Sequence, residues 1–397
     1  MDYDTAVIGG GPAGIMAAIS AVKNNKRVVL IEKNNELGKK LLLTGGGRCN
    51  LTHDEFNTTK FLKSYGMNSK FLYSAFNIFG PEETIAFFNE LGIKTKTEST
   101  GKIFPISNNA HEVRDKLLTE LKKHKVEIKL NSVIKNLKEI KAKKIIIATG
   151  GKSYPVLGST GDGYAWAKAL GHTIISPQPV LTPIILNDAW LKQLSGLGFD
   201  NVKIKVVQNN RNIITSVGEL LFTHFGLSGP MILNLSRDIS SLKENKNIKL
   251  QLDFFPDKEL AVLHKDLQEL FEKYKQKNIK NILSYLLPEK VILVMLNNIS
   301  INLETKCQQI TKIQRKKIVN SLKSFPLSFK GLGDFSRAMV TRGGVSLKEV
   351  DPKTMRSKLD KNIYFAGEVL DIDGETGGYN LQMCWSTGFV AGNSIIN

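Results

Sequence analysis

The run YDTAVIGGGPAGIMAAISAVKNNKRVVLIEKN, residues 3–34, constrains the fold more than any other part of the chain. A short apolar strand, TAVI, breaks into Gly9-x-Gly11-x-x-Gly14 with Pro12 and Ala13 inside the motif. A helix, AGIMAAISAVKN, follows. A second apolar strand, RVVLIE, then ends on Glu32. Glycines between strand and helix, with an acid about 20 residues on, mark a dinucleotide-binding βαβ unit. Gly9 permits the tight turn, Gly11 lets backbone approach a pyrophosphate, and Gly14 lets the helix pack closely on the strand. The diphosphate is expected at the helix N-terminus, where free N–H groups and the dipole favour negative charge. Glu32, with the adjoining Lys33, is expected at the adenosine ribose. A carboxylate there disfavours a 2′-phosphate.

The segment that follows separates FAD from NAD. A nicotinamide domain would continue with alternating strands and helices. Here EKNNELGKKLLLTGGGRCNLTH gives a basic pair, an apolar run and then Thr44-Gly45-Gly46-Gly47-Arg48-Cys49-Asn50. Such a polar, glycine-rich loop lets backbone reach a large planar ligand. Lys40, Leu41, Thr44, Gly45, Gly46, Arg48, Cys49 and Asn50 are therefore expected near the diphosphate, ribityl chain or flavin ring.

Three further segments fit the same ligand. VEIKLNSVIKNL reads as a strand pair, and by its similarity to FAD folds the backbone amide at Val133 is expected to meet adenine. Little room remains between Leu137 and Lys144, so the β-meander usual at this place is truncated. KKIIIATGGKSYP runs a buried strand into Thr149-Gly150-Gly151, which pass close to the cofactor. NIYFAGE ends the last strand on Gly367-Glu368, similar to FAD enzymes whose acid at this place accepts from ribityl hydroxyls, and Glu368 is expected to do the same. A glycine-rich approach then leads to a final helix. Its first turn, with Asn380, Leu381 and Gln382, points at the flavin edge where negative charge develops on reduction.

Together these motifs resemble the BaiN-like family of bacterial flavoproteins, also labelled NAD(P)/FAD-dependent oxidoreductases or aminoacetone-oxidase-family proteins. The resemblance covers nearly the whole chain and is carried by GGGPAG, GKKLLLTGGGRCNLTH, KIFPIS, ATGGKSYPVLGSTGDGY, LFTHFGLSGP, RGGVSLKEVDPKTMRSK and GEVLDIDGETGGYNLQMCWSTGFVAG. It implies bound FAD in a discontinuous, glutathione-reductase-like α/β Rossmann domain with a large insertion. The C-terminal block is also distantly similar to fumarate reductase flavoproteins, whose substrate residues do not map onto this chain one by one.

The expected organisation is an FAD domain over 1–190 and 338–397, an inserted β-domain over 191–256, a helical subdomain over 257–323 and a return segment over 324–337. In the insert, VKIKVVQNNRNIITSV reads as two strands joined by an Asn-Asn turn. His224, in LFTHFGLSGP, is either a proton donor at the flavin or a satisfied structural histidine. Arg342 either steadies an anionic substrate or forms a surface ion pair. Cys49 is either redox-active or a packed thiol.

The reaction expected is hydride transfer through flavin N5, reducing an activated C=C bond. No second Gly-x-Gly-x-x-Gly follows the ATG motif. NADH or NADPH is therefore expected to bind transiently at the flavin face. An oxygen-dependent amine or alcohol oxidase and an FAD-binding RNA-associated protein are the alternatives. Net charge is +18, but the lysines are interspersed with acids and no recognisable RNA-binding motif is present. A small-molecule substrate is thus preferred to nucleic acid. The three cysteines are far apart without a CxxC, and no metal site is expected. No apolar run reaches the ~20 residues of a membrane span, and the chain opens directly on a strand. A cytoplasmic location is expected, and the sequence fixes no oligomeric state.

Overall fold

The structure is a computed structural model that describes residues 2–23, 27–242 and 247–395. It divides into two compact units, one of residues 1–180 with 334–397, the other of residues 181–333.

The first unit is built on a parallel sheet of five strands: β1 (Tyr3–Ile8), β2 (Val28–Ile31), β3 (Glu127–Lys129), β4 (Ala142–Ile147) and β5 (Ile363–Phe365). The order is β5-β4-β1-β2-β3. Thr5 is in register with both Val28 and Lys144, and Ile363 with Ile145. Strands covered on both faces are continuously apolar, and β2 and β5 are buried along their full length. From β1 the chain steps to β2 on one side and β4 later fills the other. That reversal opens a crevice at the carboxyl ends of β1 and β4, where ligands of such sheets bind.

Helix α1 (Pro12–Val22) runs from the first glycine turn, and the helix expected over the same stretch ended on Asn24, outside the described residues. Helix α2 (Asp162–Ala169) follows the ATG segment, and helix α3 (Tyr379–Asn393) closes the unit. A Cβ on Gly388 of α3 would lie 2.4 Å from the Ala13 carbonyl oxygen, and one on Gly392 2.2 Å from that of Ala17. The N- and C-terminal helices therefore pack backbone to backbone. Glycines and alanines on both faces make that approach possible.

The expected strand pair at 126–137 is a single strand. After β3 the chain turns at Asn131 (φ 52°) and runs beside residues 32–34, where Ser132 N–H donates to the Glu32 carbonyl and Asn131 N–H to that of Asn34. Only one short helical turn, Leu137–Glu139, precedes β4, as the truncated meander required.

The second unit holds a seven-stranded antiparallel sheet. Its long hairpin pairs Gly198–Gln208 with Arg211–Thr223 through Asn209 and Asn210, both at positive φ (50° and 60°). Two consecutive left-handed residues give the turn whose twist matches the flanking strands, as the Asn-Asn pair suggested. Helices Leu260–Lys273, Glu289–Asn298 and Lys312–Lys323 share one apolar core with this sheet. The expected β and helical parts are thus one body rather than two. It begins before 191 because Ile184–Leu186 already pairs with Gly226–Leu227 and Phe329–Leu332.

Candidate active site

Each segment expected at the cofactor, from Gly9 to Gln382, lies in the first unit, and the strand ends place them along one edge. Gly9–Gly11 follow β1, Glu32 follows β2, Thr149 follows β4 and Glu368 follows β5. Neighbouring strands lie about 4.8 Å apart, so the three spacings from β2 to β5 separate the two acids' strands by about 14 Å. A compact mononucleotide does not bridge such a span, whereas an extended dinucleotide does.

At the β1 turn the three glycines divide the work. Gly9 sits at φ 104°, and a Cβ there would lie 2.4 Å from the Ala148 carbonyl oxygen of the β4 exit. A Cβ on Gly14 would lie 1.8 Å from the Gly9 carbonyl oxygen. At Gly11 a Cβ would meet nothing within 4 Å. So Gly9 and Gly14 are required by the protein's own packing, while Gly11 borders open space. Gly11 is the N-cap of α1 and brings no side-chain cap, with Pro12 at the first position and Ala13 buried behind it. First-turn N–H groups of a helix have no intrahelical acceptor, and here they are left for an anion. These are the features that fit a diphosphate.

Glu32 is buried and preorganised. Its Oε2 accepts from Gly10 N–H at 2.6 Å and its Oε1 from Asn34 N–H at 2.8 Å. A carboxylate offers about four acceptor positions, so one lone pair per oxygen remains for ribose hydroxyls. Gly10 was missed in the sequence although it is the middle of a visible triple glycine. Lys33 turns instead to α2, bonding Asp162 at 2.6 Å and the Thr160 hydroxyl. Val133 is 66% exposed and follows Ser132, whose N–H anchors it beside Glu32.

Glu368 holds the other end. Its Oε1 accepts from Ser153 Oγ at 2.8 Å and Thr341 N–H at 2.9 Å, and its Oε2 pairs with Lys40 Nζ at 3.0 Å. Lys40 also donates to Ser153 Oγ at 2.7 Å. Thr341 Oγ1 accepts from the N–H groups of Lys152 and Ser153. Gly151 is pressed into this knot, since a Cβ there would lie 2.4 Å from Thr341 Oγ1 and 2.7 Å from Glu368 Oε1. Ser153 and Thr341 were missed, because hydroxyl residues carry no signal until the fold brings 153, 341 and 368 together. Thr149 Oγ1 is buried without a partner among the described residues, and Gly150 beside it is left-handed.

The loop after Leu41 carries Gly45, Gly46 and Gly47 at φ 58°, 67° and 85°. Three successive left-handed positions exclude other residues at low cost. Gly46 faces open space, whereas Gly45 packs on Phe104 and Asn50. Leu41 itself is fully buried, its carbonyl accepting from Thr44 Oγ1 at 2.7 Å. Only its backbone is left to border a ligand. Arg48 stacks on Phe104 at 4.0 Å and pairs with Glu98 at 2.6 Å. Asn50, with its amide oriented to satisfy its neighbours, accepts from Gly378 N–H at 2.9 Å and donates to Ile103 and Thr52 carbonyls. It thereby ties the glycine loop to the start of α3.

Helix α3 starts at the left-handed Gly378, again without a side-chain cap. The Asn380 side chain closes the preceding loop, accepting from Gly374 N–H and donating to the Gly374 and Glu375 carbonyls. Leu381 is buried. Gln382 does not face a ligand: its N–H bonds the Gly378 carbonyl and its side chain donates to Phe79 O and Ser386 Oγ in the core. Only the first three residues of α3 can offer N–H groups to the cofactor.

Cys49 is fully buried, and that burial pushes its thiol up to about 12. It is a packed thiol, and reactivity needs the thiolate. Arg342 makes a bidentate pair with Asp373, both contacts 3.1 Å, in a part-buried setting rather than at the surface. The neighbouring Asp371 is pushed above the usual carboxylate range by burial, although Gly343 N–H donates to it. His224 lies in the second unit, exposed between Thr223 and Phe225, with its ring edge-on to Phe225. It has no hydrogen-bond partner among the described residues, so the satisfied structural histidine is not what is seen. No cluster of three metal-ligating side chains and no membrane-length apolar helix occurs among the described residues.

A parallel sheet with two uncapped helix N-termini and two acids along one carboxyl edge, Glu32 buried and Glu368 half-buried, is the arrangement of Rossmann-type FAD-dependent oxidoreductases. The chain belongs to the HI0933-like protein family, whose Rossmann-domain description matches residues 3–394. It is 32% identical to the 3-dehydro-bile acid delta(4,6)-reductase of Clostridium scindens, over 98% of each chain. It is 29% identical to the ribosomal RNA dihydrouridine synthase of Escherichia coli, over 99% of this chain and 98% of that one. Among solved structures, a 3-ketosteroid-delta4-(5alpha)-dehydrogenase from Rhodococcus jostii shares the fold at 14% identity, with a TM-score of 0.51 over 99% of this chain and 96% of that one.

Proposed function

We propose that this oxidoreductase saturates a carbon–carbon double bond conjugated to a carbonyl, with NADH or NADPH as transient donor. The carrying observation is that the two relatives just compared, each aligned over nearly the whole chain, are named for that one bond change. A delta(4,6)-3-oxo steroid and the C5=C6 bond of uracil are both alkenes polarised by a neighbouring carbonyl. When bound, FAD supplies hydride transfer at N5.

The chain's own residues do the rest. The first turn of α1 binds the diphosphate, Glu32 the adenosine ribose, and the backbone beyond Ser132, at Val133, borders adenine. Glu368, held by Lys40, Ser153 and Thr341, positions the ribityl chain. The first turn of α3 places N–H groups where negative charge gathers on reduction. Arg342, already paired with Asp373, fixes the loop that carries Asp371 and Gly374.

A ribosomal RNA uracil is the second reading of the substrate, favoured by the full-length relative of that name. Anaerobic titration tests the chemistry. NADH or NADPH should bleach the yellow protein, and a cyclic enone should restore the colour with one saturated product per flavin. Recovery of colour with oxygen alone, together with bleaching by an amine or alcohol, would establish an oxidase instead. A two-hydrogen mass gain on ribosomal RNA uridines separates the two substrates.

A further inference from the structure

We propose that a basic groove in the second unit binds the phosphodiester backbone of RNA, an inference that rests on the RNA reading of the substrate. The groove has a volume of about 950 Å³ and is lined on its cationic side by Lys203, Lys205, Lys258, Lys317 and Lys323, against Asp253 and Glu259. Its construction follows from periodicity. Along Gly198–Gln208, Val202, Ile204 and Val206 are fully buried in the core, so Lys203 and Lys205 emerge together on the opposite face. Lys317 projects from Lys312–Lys323 beside Asn320, Ser321 and Ser324, spaced as one helix face.

The lysines differ in what already neutralises them. Lys323 is structural: it pairs with buried Asp253 at 2.7 Å and bonds the Phe255 and Lys258 carbonyls. Lys258 pairs with Asp266 at 2.7 Å, and Lys203 reaches only the Pro256 carbonyl at 3.4 Å. Lys205 and Lys317 have no hydrogen-bond or ion-pair partner among the described residues. In the first unit, by contrast, Lys33, Lys40, Arg48 and Arg342 each have an acid. With five lysines against Asp253 and Glu259 the groove keeps a net positive charge, and a cleft lined mainly by one sign of charge concentrates counter-ions. The rest of the lining mixes asparagines and serines with Pro256, Leu260, Ile299 and Pro326, and holds no aromatic ring on which a base could stack. The groove is therefore suited to phosphates rather than to bases, fixing register without reading sequence.

The test compares K205E/K317E with K277E/K290E, a control double that removes the same charge from exposed lysines outside the groove. Affinity for bulk bacterial ribosomal RNA is measured at several salt concentrations, alongside reduction of a cyclic enone and of uridines in the RNA. The groove variant should lose at least tenfold in RNA affinity at physiological salt and lower the salt slope by about two. The control should change less than threefold, and enone reduction should be unchanged in both. Equal weakening in the two variants overturns the groove. If the groove variant reduces RNA uridines as well as the unaltered enzyme does, the groove fails while the RNA reading stands. If no form of the enzyme reduces or selectively binds the RNA, the reading fails and the groove with it.

Discussion

Gly11 and Gly14 stand three residues apart in one motif and do different jobs. At Gly11 an added methyl enters open space, and the backbone there (φ −82°) suits any residue. G11A should fold with an unchanged circular dichroism spectrum but purify with little bound FAD, because the methyl occupies the ligand's place. At Gly14 the methyl would sit 1.8 Å from the Gly9 oxygen. Alanine gains about 1 kcal/mol of helix propensity over glycine, but overpacking of a tight site costs typically about 1–3 kcal/mol and sometimes more. The clash wins, so G14A should lower the melting temperature of the apoprotein as well as its flavin content. Equal stability losses in both variants would remove the distinction drawn here between packing and cradle.

At the scale of elements, the sheet is secured at its amino edge as well as at its carboxyl edge. Asp4, at the start of β1, pairs with Lys143 on β4 at 2.8 Å and accepts from Arg27 N–H before β2 at 3.0 Å. The Lys143 ammonium above all, then the Arg27 N–H, lowers the Asp4 carboxyl from 3.8 to about 2. A depressed carboxyl stabilises the fold above its unfolded value and loses that contribution as pH falls through its folded one. Between pH 4 and 2 the unaltered protein should therefore lose stability more steeply than D4N, measured as the urea midpoint. Parallel curves would show that Asp4 does not join β1 to its neighbours energetically.

For the whole molecule, the two units have separate cores: one around the parallel sheet and α1 with α3, the other around the antiparallel sheet and its helices. The cofactor-edge residues from Gly9 to Asn380 belong to the first. Denaturation should show two transitions, and added FAD should move only one. A ligand at 100 times its Kd adds about 2.7 kcal/mol to the unit that binds it. A single transition that shifts as one with FAD would mean that the cores unfold together.

The sequence by itself determined the βαβ unit, the acid that closes its second strand, the ATG strand, the Gly-Glu ending and the Asn-Asn hairpin. Each is written in a few neighbouring residues whose local physics leaves little choice: glycine at a turn, an acid at a strand end, apolar runs in buried strands. Tertiary structure alone decided that Ser153 and Thr341 clamp Glu368, that Lys33 turns to Asp162, that Gln382 faces the core and that Arg342 grips Asp373. Those partners are separated by as many as 303 residues, as between Gln382 and Phe79. A hydroxyl or a charge takes its role from whatever group the fold sets within 3 Å of it. The same holds for Lys205 and Lys317, with which no acid pairs among the described residues.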